Sequence, residues 1–502
     1  MIKNVLEYLE QTVKRYSNKT AIRTAEKEVT FAELEAGAKK LASFILSKNP
    51  GRNKPIPVFL PKSAESIFAF LGVAYSGNFY VPIDITLPAE RIEKILTVLE
   101  PSLIVSDAEN AEKIKKISKA EVLLQEDCDK MEVKEEAIRG VLRRMIDTDP
   151  LYVLFTSGST GMPKGVTISH RSVIDYIEWA TAFFAFCEKD VLGNQAPFYF
   201  DNSILDIYTM LKTGATLVII PESLFIFPVK LFRFMMENQV NSIFWVPSAL
   251  SVVAMHKDME RSELPCLKKV LFCGEVMPTK TLNFWRKLYP NALFANLYGP
   301  TEITDVCSCY VVDREFEDDE SLPIGFPCNN TDILVLKEDN QEVEAGEIGE
   351  LCVRGTCLSL GYYGDSEKTA EVFVQNPLNQ QYLEKIYKTG DLVKYNGRGE
   401  LIYVCRKDFQ IKHQGHRIEL GEIETAVYSL EKIKQCAALY DEGKKQICLF
   451  CSVCDEMTEK EVFSELKKKL PQYMLPAKIR IEEGLPLNAN GKIDRKLLKT
   501  YL

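Results

Sequence analysis

LYVLFTSGSTGMPKG, residues 151–165, joins an apolar run to a loop of glycine and small hydroxyl residues that contains Lys164. The apolar run, residues 151–155, has the composition of a buried strand. Backbone N–H groups and hydroxyls in such a loop can approach phosphate oxygens closely, and the lysine adds a positive charge. A Walker loop requires G-x-x-x-x-G-K-[ST], whereas two residues separate Gly161 from Lys164 here. The segment therefore predicts a phosphate-binding loop of another kind, although a loop of this composition alone is more often an ordinary turn.

Strand-like and helix-like segments alternate on both sides of this loop. KPIPVFL (54–60) predicts a strand and is followed by a helical pattern, and the same alternation returns over residues 213–250. This pattern predicts α/β layers with parallel sheet content. From about residue 322, short β-like segments separated by turn signals such as Asn396-Gly397 predict a small β-rich subdomain. Because 502 residues exceed what one core holds, we expect an α/β protein of at least two domains.

The composition is that of an ordinary globular protein, with 46% hydrophobic and 26% charged residues and a formal net charge of −9. The absence of a long basic block argues against a nucleic-acid partner. No run of ~18 uncharged apolar residues is present to insert into a membrane. Fourteen cysteines are scattered along a chain without a secretory signal, so we expect reduced thiols in the cytoplasm. Cys448-x-x-Cys451-x-x-Cys454 has iron–sulfur-like spacing, but it lacks a fourth cysteine and has a strand pattern, so we expect no metal there.

Further short segments accompany the loop in a fixed order. They are LPAERI (87–92) before the loop, and FDNSILDIY (200–208), NLYGPTE (296–302), GELCVRG (349–355), GYYGD (361–365), YKTGDLV (387–393), RKDFQIKHQGHRIELGEIE (406–424) and NGKIDRK (490–496) after it. Together with TSGSTGMPKG, they resemble in order and residue type the signature motifs of the adenylate-forming superfamily. That superfamily includes acyl-CoA synthetases, luciferases and amino-acid adenylation domains.

The resemblance implies a fold and a two-step reaction. It implies a large N-terminal domain of residues 1–404, with α/β layered subdomains and a small β-rich subdomain, a hinge over 405–408 with Asp408 as its pivot, and a small α+β lid of residues 409–502. The active site would lie between the two domains. ATP and a carboxylate would first give an acyl-adenylate and pyrophosphate, and a thiol would then displace AMP.

The resemblance also assigns a nucleotide site. Lys492 would be the main catalytic residue, because a flexible positive charge on the lid can bridge carboxylate and phosphate oxygens. Thr301 would contact the α-phosphate, and Glu302 would hold Mg²⁺, which prefers one or two carboxylates plus phosphate oxygens. Tyr298 would stack on adenine, and Asp391 would bind the ribose hydroxyls. The residues expected to bind ATP or AMP are Thr156, Ser157, Gly158, Ser159, Thr160, Gly161, Lys164, Asn296, Tyr298, Gly299, Thr301, Asp391, Arg406 and Lys492.

Asp201 bears on the class of acid. In amino-acid adenylation domains the aspartate of this motif pairs with the α-ammonium of the substrate, whereas fatty-acid and aryl-acid relatives usually lack it. A buried carboxylate is costly unless paired, and the alternative role for Asp201 is a helix cap. By motif position, the residues expected to line the substrate pocket are Asp201, Asn202, Leu205, Phe244, Leu271, Cys273, Leu297, Asp305 and Val306.

Two pocket positions point to different substrates. The segment LFCGEVMP, which contains Cys273, resembles the corresponding segment of the D-alanine–carrier protein ligases. In those enzymes a cysteine at this position is expected to favour the D-enantiomer. Asp305 departs from that family, where an apolar residue is expected, and could accept a polar or basic side chain. We expect a stand-alone ligase for an amino acid, with D-alanine as the first choice, whose thiol acceptor is a separate phosphopantetheinylated carrier protein. The alternatives are an enzyme for a polar or basic amino acid in peptide synthesis, an acyl-CoA synthetase and a catalytically silent adenylate-binding protein.

Overall fold

The computed structural model describes residues 2–48, 51–158, 162–255, 264–407, 410–453, 455–486 and 493–502. The chain divides into two compact units, one made of residues 1–84, 101–154 and 166–407 and the other of residues 85–100, 155–165 and 408–502. The predicted α/β class is confirmed, since helices alternate with largely parallel strands through most of the first unit.

A nine-stranded sheet in the described part of the first unit contains six consecutive parallel strands. In spatial order its strands are β15 (Phe326–Pro327), β14 (Ser308–Val311), β13 (Leu293–Tyr298), β12 (Lys269–Phe272), β11 (Ser242–Trp245), β9 (Val191–Asn194), β10 (Thr216–Ile219), β1 (Thr20–Arg23) and β2 (Glu28–Thr30). β13 through β1 run parallel, while β2, β14 and β15 are antiparallel to their neighbours. In open sheets of this kind, ligands bind beyond the carboxyl ends of the parallel strands.

Two further sheets contain the other described strands that lie wholly or mostly in this unit. The second sheet has the order β18 (Gly361–Tyr362), β8 (Lys164–Ser169), β7 (Pro150–Thr156), β4 (Phe79–Pro82), β3 (Pro55–Phe59), β5 (Leu103–Ser106) and β6 (Glu121–Leu124). The third sheet contains the short strands predicted after residue 322, and it is antiparallel. Its order is β16 (Thr331–Leu336), β17 (Gly349–Gly355), β20 (Lys385–Tyr395) and β19 (Phe373–Gln375), with β21 (Leu401–Arg406) paired to β20.

The helices of the first unit follow from apolar spacing along the chain. The first of them buries Leu6 and Leu9 on one face, as the period of 3.6 residues requires. These helices are α1 (Leu6–Tyr16), α2 (Phe31–Lys48), α3 (Ala64–Tyr75), α5 (Ala108–Lys115), α6 (Glu135–Leu142), α7 (His170–Phe183), α8 (Asn202–Thr213), α9 (Pro228–Glu237), α10 (Pro247–Ala254), α11 (Thr279–Leu288) and α12 (Ser366–Val372). No helix in the described ranges is long and apolar enough to cross a membrane.

The second unit combines a hairpin, a small sheet and four helices among its described residues. Its elements are α4 (Ala89–Leu99), the hairpin β22 (Gln410–His413) and β23 (His416–Glu419), the sheet of β24 (Ile433–Asp441), β25 (Gln446–Val453) and β26 (Lys478–Ile481), and the helices α13 (Leu420–Tyr428), α14 (Glu459–Lys469) and α15 (Arg495–Lys499). α14 begins at a capping box, in which Thr458 and Glu461 satisfy each other's backbone N–H groups.

Two of the spaced cysteines, Cys448 and Cys451, lie on β25, as the strand pattern predicts. Cys448 and Cys451 enter different hydrophobic clusters, because residues three apart on a strand point to opposite faces. Cys454 lies outside the described residues. The two described thiols therefore do not converge on one point.

Candidate active site

The amino end of α8 brings two predicted residues together. Asp201 precedes this helix, and its Oδ2 accepts a hydrogen bond of 2.5 Å from the Thr301 hydroxyl. Thr301 follows β13 at the carboxyl edge of the parallel strands, which is why residues 100 positions apart in sequence meet. Asp201 Oδ1 accepts from the amide of Asn202 at 3.0 Å. The backbone of Asp201 is helical (φ −60°, ψ −34°), unlike the extended backbone of a strong helix cap.

Side chains on one face of adjacent parallel strands form the floor of the predicted pocket. Phe244 on β11 pairs in register with Leu271 on β12, which pairs with Ala295 on β13. Cys273 and Leu297 lie two residues beyond Leu271 and Ala295, so they share the same face of the sheet. The predicted pocket residues are all buried except Asp201, which is half-buried; the buried ones are Asn202, Leu205, Phe244, Leu271, Cys273, Leu297, Asp305 and Val306.

Two buried polar groups near this floor have no hydrogen-bond partner among the described residues. They are the Tyr152 hydroxyl on β7 and the Asn202 side-chain amide nitrogen on α8. Burial, followed by the charges of Asp201 and Asp305 and by Tyr208, raises the pKa of Tyr152 well above its usual value. Unsatisfied buried donors cost free energy, so their presence at this place suits a ligand with polar groups.

Behind the floor lies a buried polar group that the sequence did not single out. Asp206 lines a narrow gap together with Leu205, Phe244 and Leu271. Its Oδ2 accepts a 2.9 Å hydrogen bond from the Asn194 side chain. Burial raises the pKa of Asp206 to about 7, despite the opposing effects of Asn194 and Lys62.

Glu302 is fully buried at the turn of residues 301–303. Its Oε1 accepts a hydrogen bond of 2.8 Å from the Tyr362 hydroxyl, which holds the carboxylate in one orientation. The Glu302 carboxylate and the Thr301 hydroxyl offer oxygen ligands of the type that Mg²⁺ binds together with phosphate oxygens. The residues present therefore fit this ion. Tyr362 lies within the GYYGD segment but had no predicted role.

Three predicted nucleotide residues form one hydrogen-bonded group. Asp391 on β20 lies opposite Arg406 on β21, and Arg406 Nη1 is 3.0 Å from Asp391 Oδ1. The hydroxyl of Tyr298, at the end of β13, donates to the other carboxylate oxygen. Burial and the Asp391 charge raise the pKa of Tyr298 well above its usual value. The group presents an aromatic ring, a carboxylate and a guanidinium within one small volume. Asn296, in contrast, has its side-chain amide bonded to the Pro323 carbonyl at 2.8 Å.

A strained turn follows Glu302. Thr304 (φ 63°) and Asp305 (φ 73°) are consecutive residues in the left-handed region, which is unusual for non-glycine residues and most of all for a β-branched one. The Val306 amide donates to the Thr304 carbonyl at 3.0 Å, closing a three-residue turn around Asp305. A side chain at Gly299 would collide with the Asp305 carbonyl, so glycine is required there.

The described part of the predicted phosphate loop lies in the second unit and already binds a carboxylate. The Gly158 amide donates to Glu422 Oε2 at 3.2 Å, and Glu422 also pairs with Arg91. The Ser157 hydroxyl donates to the Arg417 carbonyl at 2.6 Å.

Two other loop residues complete this picture. Lys164 Nζ lies 3.3 Å from Glu419 Oε1. The Thr156 hydroxyl is buried without a partner among the described residues. Ser159, Thr160 and Gly161 lie outside the described residues, as do Asp408 and Lys492. In the described part of this loop the Gly158 amide donates to a carboxylate of the protein itself, and the binding of phosphate by the loop stays a prediction.

Comparison with protein families gives the affiliation of the chain. The family of AMP-binding enzymes matches residues 9–363, and the AMP-binding enzyme C-terminal domain matches residues 422–492. The chain belongs to the AMP-binding enzyme family.

Individual relatives agree with this assignment. The chain is 32% identical to a D-alanine–D-alanyl carrier protein ligase of Bacillus cytotoxicus over 504 residues, and 32% identical to the Bacillus mycoides ligase over 514 residues, covering 98% of each chain in both cases. A solved nonribosomal peptide synthetase protein with adenylation and carrier domains, PA1221, matches all of this chain and 84% of its own, with 25% identity and a TM-score of 0.83. The Vibrio cholerae adenylation domain AlmE, solved with glycyl-adenosine-5′-phosphate, shares the fold with a TM-score of 0.84 at 21% identity, covering all of this chain and 98% of its own.

Proposed function

We propose that this enzyme activates D-alanine with ATP and transfers the alanyl group to the phosphopantetheine thiol of a separate carrier protein. The observation that carries the proposal is the hydrogen bond between Asp201 and Thr301. In this proposal the Asp201 carboxylate binds the α-ammonium group and the Thr301 hydroxyl contacts the α-phosphate, and the bond between them supports bringing the amino acid and the reacting phosphorus together. The full-length similarity to D-alanine–D-alanyl carrier protein ligases supports the choice of substrate and acceptor.

In the first step, a carboxylate oxygen of D-alanine attacks the α-phosphorus of ATP. The bond between that phosphorus and the oxygen leading to the β-phosphate breaks, and pyrophosphate leaves. Asp201 holds the α-ammonium, while Asp391, Arg406 and Tyr298 hold the nucleoside. Positioning of this kind supplies most of the acceleration in phosphoryl-type chemistry. Glu302 would hold Mg²⁺, which would neutralise charge on the triphosphate.

In the second step, the carrier thiol attacks the carbonyl carbon of the adenylate. The bond from that carbon to the AMP oxygen breaks, AMP leaves, and the thiol proton passes to solvent. A mixed anhydride is activated enough that little base assistance is required. Asp408 is proposed as the hinge between a domain of residues 1–404 and a lid of residues 409–502. Rotation of the lid about this hinge would bring Lys492 to the reacting groups for the first step and remove it before the second.

The pocket floor supports a small side chain. Leu205, Phe244 and Leu271 surround the gap beside Asp206, which has no room for a water molecule, so this gap adds no depth for a longer side chain. Cys273 lies on the same face as Leu271, two residues further along the chain, and is 1% exposed. A cytoplasmic location, where thiols stay reduced, is part of the proposal.

The testing experiment is amino-acid-dependent ATP–pyrophosphate exchange across L- and D-amino acids, with fatty and aryl acids as controls. We expect a maximum for D-alanine and a smaller D-to-L ratio in Cys273→Ala. Exchange that depends on an acid without an amine would favour an acyl-CoA synthetase. A maximum for a basic amino acid would place the enzyme in peptide synthesis. ATP binding without any exchange would indicate a catalytically silent protein.

A further inference from the structure

Tyr176 on α7 forms a buried pair with the unusual pocket residue Asp305. The Tyr176 hydroxyl donates to Asp305 Oδ2 at 2.7 Å, and the two residues are 4% and 1% exposed. Tyr176 belongs to no motif and has no role in the site described above. A hydrogen bond from a neutral hydroxyl to a buried carboxylate is charge-assisted and short, so it fixes the position of both groups.

The pair lies at the substrate pocket. The thiols of Cys273 and Cys328 are close enough to contribute to the raised pKa of Tyr176, after the larger effects of burial and of Asp305. Asp305 lies four residues beyond Thr301, whose hydroxyl donates to Asp201, so the turn of residues 301–305 connects the two carboxylates. Tyr176 belongs to the same buried hydrophobic cluster as Cys273, Leu297 and Val306, so its ring lies in the packed core that contains these predicted pocket residues.

Two features prevent the Tyr176 ring from moving aside. Trp179 stacks near it, with ring centroids 6.2 Å apart and an interplanar angle of 21°. Asp305 is held by the left-handed turn, whose Val306 amide bonds to the Thr304 carbonyl. A ring fixed by a stacked neighbour at one end and by a rigid acceptor at the other forms a wall rather than a movable gate.

We infer that the Tyr176–Asp305 pair determines side-chain size, by holding the Tyr176 ring across the end of the pocket so that only a methyl group fits beyond Cα. This inference rests on the proposed function and extends it. Asp305 then acts as a positioning residue for Tyr176, and its charge stabilises the wall instead of attracting a cationic substrate. The same pair explains why a carboxylate stands where D-alanine–carrier protein ligases are expected to have an apolar residue.

The test is ATP–pyrophosphate exchange with glycine, D-alanine, D-2-aminobutyrate and D-valine as substrates. In Tyr176→Ala and Asp305→Ala, the kcat/KM ratio of D-2-aminobutyrate to D-alanine should rise at least about tenfold, since one methylene in an apolar pocket changes discrimination by about 10- to 200-fold. Tyr176→Phe, which keeps the ring and removes the bond, should show a smaller rise. Circular dichroism shows whether each variant folds. If the alanine variants do not fold, Tyr176→Phe alone tests the inference.

Tyr8→Phe is the matched control. The Tyr8 hydroxyl donates to Glu178 Oε1 at 2.8 Å, so this variant loses a similar tyrosine–carboxylate bond outside the predicted pocket. It should leave the substrate ratio unchanged.

Three results would overturn the inference. The first is an unchanged kcat/KM ratio of D-2-aminobutyrate to D-alanine in Tyr176→Ala and Asp305→Ala, while the wild-type enzyme still activates D-alanine. If the alanine variants do not fold, an unchanged ratio in Tyr176→Phe counts in the same way. The proposed function would then stand without the inference. The second is a preference of the wild-type enzyme for D-ornithine or D-lysine that Asp305→Asn abolishes, which would make Asp305 a cation-binding residue. The third is the absence of exchange with any amino acid, which would remove the proposed function and the inference together.

Discussion

Replacing Asp201 by asparagine separates its two possible roles. Asparagine has nearly the same shape, so it keeps an acceptor for the Asn202 amide and can still hydrogen-bond to Thr301. Asparagine is also as good a helix cap as aspartate. The substitution therefore removes the negative charge and leaves the helix start in place.

The charge sets the magnitude of the expected effect. A carboxylate and an ammonium about 4 Å apart interact by about 4 kcal/mol at an effective dielectric constant near 20. At about 1.4 kcal/mol per factor of ten, this predicts a fall in kcat/KM for the amino acid of about a thousandfold. The loss of unfolding free energy should stay below about 1 kcal/mol, because the capping interaction persists.

The assay is ATP–pyrophosphate exchange with D-alanine, accompanied by calorimetric titration of ATP and a thermal melt. Asp107→Asn is the matched control, since Asp107 caps α5 by accepting from the Asn110 amide at 2.7 Å and has no predicted part in catalysis. We expect Asp201→Asn to bind ATP normally and to lose exchange, while Asp107→Asn keeps both. Retained exchange with an unchanged melting temperature in Asp201→Asn would refute the ammonium pairing and leave Asp201 as a helix cap, because asparagine caps as well as aspartate.

Three further changes test other parts of the site. Lys492→Ala should abolish pyrophosphate exchange but retain transfer from supplied D-alanyl-AMP to the carrier; equal loss of both steps would refute its assignment to adenylation. Asp391→Asn should raise the KM for ATP about ten- to a hundredfold, as expected for a hydrogen bond to a charged group, and should narrow the preference for ATP over 2′-deoxy-ATP; an intact preference would exclude ribose binding. Burial raises the pKa of Asp206 from its ordinary 3.8 to about 7, so the folded protein keeps a proton that the unfolded chain releases. Stability should therefore decline as the pH rises from about 4 to about 7 in the wild type relative to Asp206→Asn, as followed by thermal melts, and a constant difference in melting temperature would contradict the raised pKa.

The sequence predicted the parts of the fold and site that depend on local pattern. The apolar runs before and after the glycine-rich loop predict strands because period and composition are local properties. The grouping of Tyr298, Asp391 and Arg406 follows from motifs whose order matches the adenylate-forming superfamily, and the antiparallel pairing of β20 with β21 brings two of them together.

The rest depended on tertiary contacts that leave no local trace. Tyr176 sits in an amphipathic helix, where an aromatic residue at a buried position has the pattern of ordinary core packing. Its partner Asp305 was singled out by position, but the bond between them joins residues 129 apart. Glu422 and Arg91 both lie in quoted motifs, yet nothing in the sequence shows that they pair or that Glu422 binds the Gly158 amide.

The left-handed turn at Thr304 and Asp305 has a consequence for how this enzyme could change over time. Non-glycine residues in this backbone region cost about 1–3 kcal/mol each, and glycine would relieve most of that cost. The strain is tolerated because the rest of the fold supports it, so a lineage under selection for thermostability alone would be drawn toward glycine at Thr304, where the Tyr176–Asp305 bond is kept. Glycine at this turn would loosen the backbone that positions Asp305 and, through it, the Tyr176 ring. Substrate discrimination and heat resistance are therefore opposed at this turn, and laboratory evolution toward larger amino acids should find its first permissive mutations here.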